Sequence, residues 1–454
     1  MGGYLAYTEY KDSGVEWLGK IPTTWKIMPI KFALSIPITD GPHETPELQD
    51  EGIPFISAEA IKNDRIDFSK KRGFISIEEH KRFSKKYKPQ YGDVYMVKSG
   101  ATTGNVARVE TEEEFNIWSP LAVLRPTKDI STTNFLFYAM KSKSFSYAVE
   151  LSWSFGTQQN IGMGVISNIE IALPPIEEQR SIARFLDYKT AQIDALIAKK
   201  ETLLKKLAEK RTALISQAVT KGCDRTVPMK GSGIEWLGEI PAHWSTPPLY
   251  ARYSLELGKM LNESRISGEY LVPYLRNIDV QWDFINQNDL PEMDIRPNEY
   301  QRYLVQAGDL LVCEGGEAGR SAIVPEIECH LGYQKALHRL RPLTSEESPR
   351  FLYYTMVWAA SLGVFLAGGN PNTIPHLTGE KLRLYRLPKP PLAEQIEIAS
   401  FLDKQTVQLH QQVTQVKAVI DKLKEYRTAL ITNAVTGKID VRDVVFELEP
   451  LEAA

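Results

Sequence analysis

The sequence contains an internal repeat, and this repeat restricts the possible folds more than any other feature. Residues 13–22 (SGVEWLGKIP, the first EWLG box) return 219 residues later as SGIEWLGEIP at residues 232–241 (the second EWLG box). Residues 174–179 (PPIEEQ, the first Gln box) return 216 residues later as PPLAEQ at residues 390–395 (the second Gln box). The chain is therefore a tandem duplication of about 217 residues, with the same short boxes in both copies.

The residues that follow each Gln box predict a long helix. Two prolines followed by acidic residues are typical of a helix start, and Gly222 and Gly437 stand where a left-handed helix end is expected. We predict helices over 174–222 and 390–438, each with the sequence RTALI near its end. Apolar residues recur at seven-residue intervals in both, which predicts a coiled-coil packing face. The apolar residues assigned to it are Leu186, Ile193, Leu196, Leu203, Leu207, Leu214, Leu402, Leu409, Val416, Val419, Leu423 and Leu430.

The segments between the boxes differ between the two copies. We call residues 1–173 the first variable domain and residues 223–389 the second, and we expect a loose tail over 439–454. Strand-like runs follow Gly-Asp pairs at 92–93 and 308–309, and a helical pattern comes later in each copy. The predicted fold is mixed α/β (α+β), with two globular domains joined by two long antiparallel helices in a pseudo-twofold tandem repeat.

These boxes, the long helices and the Gly-Asp strands resemble a type I restriction–modification specificity subunit (the S subunit, or HsdS family). The resemblance covers nearly the whole chain. It implies that each variable domain is a target-recognition domain that reads one half of an interrupted double-stranded DNA sequence. It also implies that the long helices hold the two domains apart and dock two methyltransferase (M) subunits, which restriction and translocase (R) subunits can join.

The same resemblance implies a subunit without catalysis of its own. Any S-adenosylmethionine would then bind to the methyltransferase partner, and ATP and magnesium would bind to the restriction partner. The residues agree, because 14–20 match the start of a phosphate-binding loop but Ile21 stands where Ser or Thr would ligate magnesium. LPPI at 173–176 lacks the polar first residue with which amino-methyltransferases hold a flipped base. We predict no cofactor, catalytic residue or metal in this chain.

Composition favours a cytoplasmic protein. Three cysteines without a CxxC pair indicate neither a disulfide scaffold nor a zinc ribbon. Residues 351–367 carry no charge, which is at the short end for a membrane span. Their counterpart at 135–151 contains two lysines and a glutamate, so a buried core helix is the favoured interpretation and no membrane partner is expected.

Residues 62–98 are the strongest candidate for contact with DNA phosphates. They contain eleven Lys or Arg against five Asp or Glu, with aromatic residues between them. Lys85, Lys86 and Lys88 are the predicted phosphate contacts, and a solvated lysine-rich loop is the alternative. Candidate base-reading residues, chosen for side chains that can bond base edges, are Lys98, Thr102, Thr103, Asn105, Gln158, Gln159 and Asn160, with Arg320, Asn370, Asn372 and Thr373 in the second copy.

The second variable domain does not have a basic composition. Residues 249–389 contain fifteen basic against seventeen acidic residues, so any positive surface must come from clustering in the fold, with Arg339 and Arg341 as candidates. Otherwise the first domain and the methyltransferases would supply much of the affinity. We therefore expect the isolated chain to bind DNA weakly.

Three other interpretations remain open at this stage. The chain could serve a combined restriction–modification polypeptide instead of separate subunits. It could be a coiled-coil scaffold that reads no DNA. It could also be a self-contained nuclease or methyltransferase, against which the missing motifs count.

Overall fold

The computed structural model describes residues 4–151, 160–261, 267–366 and 376–444. The chain forms two compact units. The first unit comprises Met1–Lys200 and Ala418–Ala454, and the second comprises Glu201–Lys417. Each unit contains one variable domain and a part of both long helices, so the boundary between the units falls within each helix.

The two long helices form as predicted. The first spans Ile176–Lys221 and the second spans Leu392–Val435. The residues that follow them, Gly222 and Gly437, have φ of 75° and 69°. This is the left-handed conformation that ends a helix at little cost only when the residue is glycine.

Within each unit the start of one long helix packs against the end of the other. In the first unit, Phe185 and Ile193 share a buried core with Leu430 and Val435. In the second unit, the core contains Ile215 and Val219 from the end of the first helix, with Ile398 and Leu402 from the start of the second. The helices therefore run antiparallel, which confirms the predicted pairing.

The predicted packing face needs one correction. The series that starts at Leu186 and at Leu402 is buried or half-buried along both helices. The other series was placed one residue too early, because Leu196, Leu203 and Val419 are 47%, 38% and 41% exposed. The inward positions are the next residues, Ile197, Leu204 and Ile420. Both rows carry apolar side chains in this region, so the seven-residue repeat alone could not distinguish them.

The first variable domain contains thirteen strands among its described residues, and these are β1 Tyr10–Asp12, β2 Lys20–Pro22, β3 Lys26–Pro29, β4 Thr39–Asp40, β5 Ile53–Ile56, β6 Ile61–Lys62, β7 Arg65–Ile66, β8 Gly73–Ile75, β9 Val94–Val97, β10 Val106–Arg108, β11 Asn116–Ile117, β12 Leu121–Leu124 and β13 Glu170–Leu173. Its helices are α1 Ile77–Ser84, α2 Thr133–Met140, α3 Lys143–Leu151 and α4 Met163–Asn168. Short 3-10 helices span Ile30–Ala33, Ala58–Ala60 and Phe68–Lys70. The strands and helices mix in one domain, as predicted.

The described part of the second variable domain contains eleven strands, and these are β14 Met229–Gly231, β15 Glu239–Pro241, β16 Tyr253–Leu257, β17 Leu271–Leu275, β18 Val280–Gln281, β19 Phe284–Ile285, β20 Glu292–Asp294, β21 Leu310–Cys313, β22 Ser321–Ile323, β23 Gly332–Tyr333 and β24 Leu337–Pro342. Its helices are α5 Tyr300–Tyr303, α6 Pro349–Ser361 and α7 Gly379–Leu384. Further 3-10 helices span Leu249–Ala251, Asn277–Asp279, Pro297–Glu299 and Val364–Leu366.

The two variable domains share one topology. Each has a four-stranded antiparallel sheet, in the order β10-β9-β12-β4 in the first domain and β22-β21-β24-β16 in the second. Each also has a three-stranded sheet with one parallel and one antiparallel pair, in the orders β11-β5-β8 and β23-β17-β20. The repeat therefore extends through the segments whose sequences diverge.

A glycine follows the edge strand of the larger sheet in both domains. A Cβ atom at Gly41 would lie 1.9 Å from the carbonyl oxygen of Ile117, and one at Gly258 would lie 2.2 Å from that of Gln334. No side chain fits at either position, so the close approach of two backbone segments requires glycine.

The uncharged stretch near residue 351 is a core element. It forms α6, in which Phe351, Leu352, Tyr353 and Met356 are buried in the second unit. Among the described residues, no helix is both long enough and apolar enough to cross a membrane.

The described part of the predicted tail, up to residue 444, packs on the first unit. Val441 is buried in the core of that unit, and the amide of Asp440 donates to the carbonyl oxygen of Leu5 at 2.8 Å. This part of the tail is therefore ordered by contacts, where we expected it to be loose.

Candidate nucleic-acid interface

The Gln boxes are repeated because they fasten each variable domain to the start of its long helix. The indole nitrogen of Trp25 donates to the Glu178 carboxylate at 2.9 Å. Trp244 donates to Glu394 at the same distance. Both indoles are buried, so each needs a partner for its N–H group, and the carboxylate supplies a strong one. This contact joins the tryptophan that stands three residues after each EWLG box to a Gln box.

The glutamine of each Gln box secures the loop that precedes the buried helix α2 or α6. The Gln179 carboxamide accepts from the amide of Thr132 at 3.0 Å and donates to the carbonyl oxygen of Ile130 at 2.8 Å. The Gln395 carboxamide accepts from the amide of Ser348 at 2.8 Å. Both glutamines are fully buried, and these bonds satisfy their polar atoms.

The EWLG boxes form hairpin loops and no phosphate cradle. Gly14 and Gly19 have positive φ, as do Gly233 and Gly238 at the same places in the second box. Trp17 donates from its indole nitrogen to the carbonyl oxygen of Glu170 at 3.0 Å, so it packs the loop on its own domain. The left-handed turns account for the repeated glycines, and this bond accounts for Trp17.

A second internal contact joins each Gly-Asp pair to an arginine on the neighbouring strand. Arg125 binds both carboxylate oxygens of the buried Asp93 at 2.7 and 2.8 Å. Arg341 binds both oxygens of Asp309 at 2.7 Å, and this bond raises the pKa of Arg341 above its usual range. Because the same pair occurs in both domains, Arg341 belongs to the shared scaffold and its charge is neutralised there.

Arg339, the other candidate of β24, lies inside the second domain. It is 3% exposed and donates to the main-chain carbonyl oxygens of Gln301 and Leu304 at 3.1 and 2.7 Å. Alternate residues of a strand point to one face, so Arg339 and Arg341 both lie on the side that packs against Leu304. In this position neither guanidinium is available to a base.

Arg320 is partly committed to the protein. It donates to the main-chain oxygen of Asn277 at 2.9 Å and to its side-chain oxygen at 2.8 Å. It closes the loop that follows β21, where Gly316 and Gly319 have positive φ. The side chain is mainly shielded from solvent, so it would have to leave Asn277 to read a base.

In the first domain two predicted lysines meet at one buried carboxylate. Asp40 is 1% exposed, and its Oδ1 lies 2.5 Å from Lys86 Nζ. Lys98 Nζ and His43 Nε2 lie 3.3 and 3.2 Å from Oδ2, although neither makes a well-oriented hydrogen bond to it. One carboxylate therefore collects two ammonium groups, which leaves a local excess of positive charge. Sequence reasoning missed Asp40, whose only signal was its place before Gly41.

The other predicted lysines differ in their partners. Lys88 forms an ion pair with Glu114 at 2.6 Å. Lys85 is exposed at the end of α1 and forms no ion pair within the described ranges. Of the three predicted phosphate contacts, Lys85 is therefore the least neutralised.

The predicted base-reading loop begins at Lys98, one of the two lysines that lie against Asp40. It closes after β9, where the amide of Gly104 donates to the carbonyl oxygen of Val97 at 2.8 Å. Thr102 and Asn105 are exposed on it, and Thr103 is half-buried. Ser99 pairs with Asn160, so the structure brings this candidate to the loop as well. Five further candidates lie outside the described residues, namely Gln158, Gln159, Asn370, Asn372 and Thr373.

The second domain pairs two cations near its corresponding surface with glutamates. Lys259 forms an ion pair with Glu299, and Arg302 with Glu256 at 3.3 Å. At the position directly after the sheet strand, where the first domain has Lys98, it has Glu314. Several exposed cations of this domain form no ion pair within the part of the chain that the structure describes, among them Arg296, Lys335 beside Lys259, and Lys381, Arg383 and Arg386 in or just after α7.

The fold and these surfaces define a class of protein with two copies of one scaffold and different residues in the loops. Comparison with known proteins identifies the family. The type I restriction modification DNA specificity domain matches residues 37–206 and again residues 258–418. The chain belongs to this family of type I restriction–modification specificity subunits.

Individual relatives are similar to this chain over nearly its whole length. A Methanocaldococcus jannaschii protein, assigned as the specificity subunit of the type I restriction enzyme MjaX, is 26% identical over 437 residues, which cover 94% of this chain and 96% of that protein. Among solved structures, a chain from work on complex assembly and conformational transition of the type I R-M system superposes with a TM-score of 0.71 at 16% identity, covering 92% of this chain and 99% of that one. The HsdS subunit of Thermoanaerobacter tengcongensis gives 0.53 at 17% identity, covering 92% and 98%. These structures support the fold.

Proposed function

We propose that this specificity subunit reads an interrupted, bipartite double-stranded DNA target, with one half read by each variable domain. The observation that supports this most is a shared topology with different loop residues. After the equivalent strands β9 and β21, one domain presents Lys98 and the other Glu314. Two domains that read different bases need this combination, because phosphate contacts position a protein while base contacts specify the sequence.

The lysine cluster of the first domain would contact the DNA backbone. Lys85 is exposed without an acidic partner within the described ranges, and Lys86 is exposed beside Asp40. Such ammonium groups gain affinity by releasing counterions from DNA. Lys98 is only 12% exposed and lies against the same carboxylate. Thr102, Thr103 and Asn105 lie in the loop that follows Lys98, Asn160 pairs with Ser99 of that loop, and these residues would reach base edges. In the second domain, the cations of α7 replace Arg339 and Arg341 as the expected phosphate contacts.

Catalysis would belong to partners. We propose that two methyltransferase subunits with bound S-adenosylmethionine dock on the long helices, and that restriction subunits with ATP and magnesium join them. Leu196, Leu203 and Val419 support a docking role, because they are apolar and exposed on the helices. A chain that only supplies specificity needs no catalytic residues of its own.

Mapping of adenine methylation across the genome tests this proposal. We would compare the native host with and without this gene by long-read sequencing. Loss of one interrupted, asymmetric motif is the expected result, and it would reveal both half-sites and their spacing. If no motif disappeared while the methyltransferase partner was expressed, the chain would not direct methylation.

A further inference from the structure

The turn between β6 and β7 connects the first variable domain to both long helices. Asn63 and Asp64 have φ of 50° and 67°, which places both in the left-handed conformation of a tight hairpin turn. The Asp64 carboxylate accepts from Arg427 Nη2 at 2.6 Å and also pairs with Lys141. Arg427 is the arginine of the second RTALI sequence and lies on the second long helix.

The same arginine continues to the first long helix. Arg427 binds both carboxylate oxygens of Asp194, at 2.9 and 3.1 Å. The four side chains therefore form a row of alternating charge, in the order Lys141, Asp64, Arg427, Asp194. Arg427 is only 16% exposed, so solvent and salt screen its pair with Asp64 weakly. We call this row the hairpin latch.

The hairpin latch is a second anchor, displaced along the helix from the first. The domain is already fixed at Asp187, which accepts from Arg108 at 3.0 Å and from Tyr138 at 2.8 Å. Asp194 follows seven residues later, about 10 Å along the helix axis at 1.5 Å per residue. Two anchors two turns apart resist tilting of the domain on the helix pair, whereas one anchor would act as a pivot.

Among its described residues, the second variable domain has no second anchor made of ion pairs. Its equivalent turn residue, Asp283, pairs with Arg350, and Arg350 Nε donates to Asp403 at 2.7 Å. Asp403 is the counterpart of Asp187, so here the hairpin and the helix start share one anchoring point. Arg211, the counterpart of Arg427, forms no ion pair within the described ranges and lies against the hydroxyl of Tyr353.

We infer that Asp64 is a positioning residue, and that its bond to Arg427 fixes the tilt of the first variable domain and so restricts the spacer length that the DNA target must have. This inference rests on the proposed function, because spacer length has meaning only for a bipartite target. The reason is geometric. Tilting the domain on the helix pair would move its DNA-contacting surface along the DNA axis, where a shift of about 3.4 Å corresponds to one base pair.

The test measures spacing, which a purely structural role would leave unchanged. The full chain is assembled with its methyltransferase partner, and methyl transfer is measured on duplexes that carry the mapped motif with its natural spacer or with one base pair more or less. Asp64→Asn removes the charge but keeps the turn, since asparagine tolerates the left-handed conformation. We expect the preference for the natural spacer to fall about tenfold, the size that coupling between paired side chains commonly has.

A second variant and a matched control separate the latch from a loss of folding. Arg427→Lys keeps the charge but loses the two-pronged geometry, so its preference should fall less than that of Asp64→Asn. The double variant should change the preference no more than Asp64→Asn alone, because both changes break the same bond. Arg211→Gln removes the equivalent arginine of the second unit, which forms no ion pair within the described ranges, and it should leave the spacer preference unchanged.

The outcomes distinguish this inference from the function on which it rests. If the wild-type complex methylates no bipartite motif, the proposed function fails and the inference fails with it. If the wild type methylates its motif, but Asp64→Asn and Arg427→Lys lower the rate equally on all three spacers, the hairpin latch only stabilises the domain. That result would overturn the inference and leave the proposed function intact.

Discussion

The two variable domains use the same scaffold but distribute charge differently. In the first, Lys86 and Lys98 share one buried carboxylate and Lys85 has no acidic partner among the described residues. In the second, Lys259 and Arg302 are each paired with a glutamate. Both domains keep one internal arginine–aspartate pair. The comparison teaches that the arginine–aspartate pair beside the Gly-Asp turn is retained, while buried charges such as Asp40 and Arg339 and the charges in the loops differ, which is what a pair of readers for unlike half-sites needs.

The largest expected effect comes from the pair that both domains share. Asp93→Ala and Asp309→Ala would each leave a partly buried arginine without its partner, and each should lower the free energy of unfolding of its unit by about 4 kcal/mol. Chemical unfolding, followed separately in the two units, would measure it. Glu112→Gln is the control, because Glu112 is exposed and forms no ion pair within the described ranges. A loss below about 1 kcal/mol in either domain would show that the pair is no common scaffold element.

The glycines beside the larger sheets should give the next largest effect. Gly41→Ala and Gly258→Ala would place a Cβ atom against a carbonyl oxygen that cannot move without its strand, so each should cost about 2 kcal/mol of unfolding free energy. Gly164→Ala is the matched control, because Gly164 lies in α4 and has open space around its Cα. Equal stability of all three variants would contradict the close backbone approach in both domains.

A smaller effect, on the salt dependence of DNA binding, should distinguish the exposed lysines of the first domain from the paired cations of the second. Lys85→Gln should reduce the slope of log affinity against log salt concentration by about one for the complex with the methyltransferase partner, because one phosphate contact is lost. Arg302→Gln in the second domain should leave the slope unchanged, since Glu256 already neutralises this arginine. Salt titrations of DNA binding would measure both. If both variants reduced the slope equally, Arg302 would contact a DNA phosphate despite its ion pair with Glu256.

Much of the fold followed from the repeat. The two long helices, their antiparallel pairing and the mixed domains could be predicted, because double prolines, terminal glycines and seven-residue intervals are local signals. The second apolar row was displaced by one residue, since Leu196 and Ile197 are both apolar and only the packed structure shows which is buried.

The functional surface was harder to predict than the fold. Arg339 and Arg341 were chosen for charge, yet they lie on the inner face of a strand whose partners come from distant segments. Asp40 and Asp64 were overlooked, because an acidic residue near a basic cluster gives no sign in sequence of the contacts it makes. Pairing between segments that are distant in sequence decides which charges are free, and a single sequence does not contain that information.

The most direct test of the account exchanges one domain for the other. A hybrid chain in which residues 22–173 are replaced by residues 241–389 keeps both EWLG boxes and both Gln boxes, so the contacts of Trp244 with Glu394 can form again with Glu178 in the first unit. Adenine methylation would be mapped in a host that carries the hybrid and the methyltransferase partner. We expect a symmetric interrupted motif, in which both halves match the half-site of the second domain. Retention of the original first half-site would contradict the claim that each variable domain reads one half of the target.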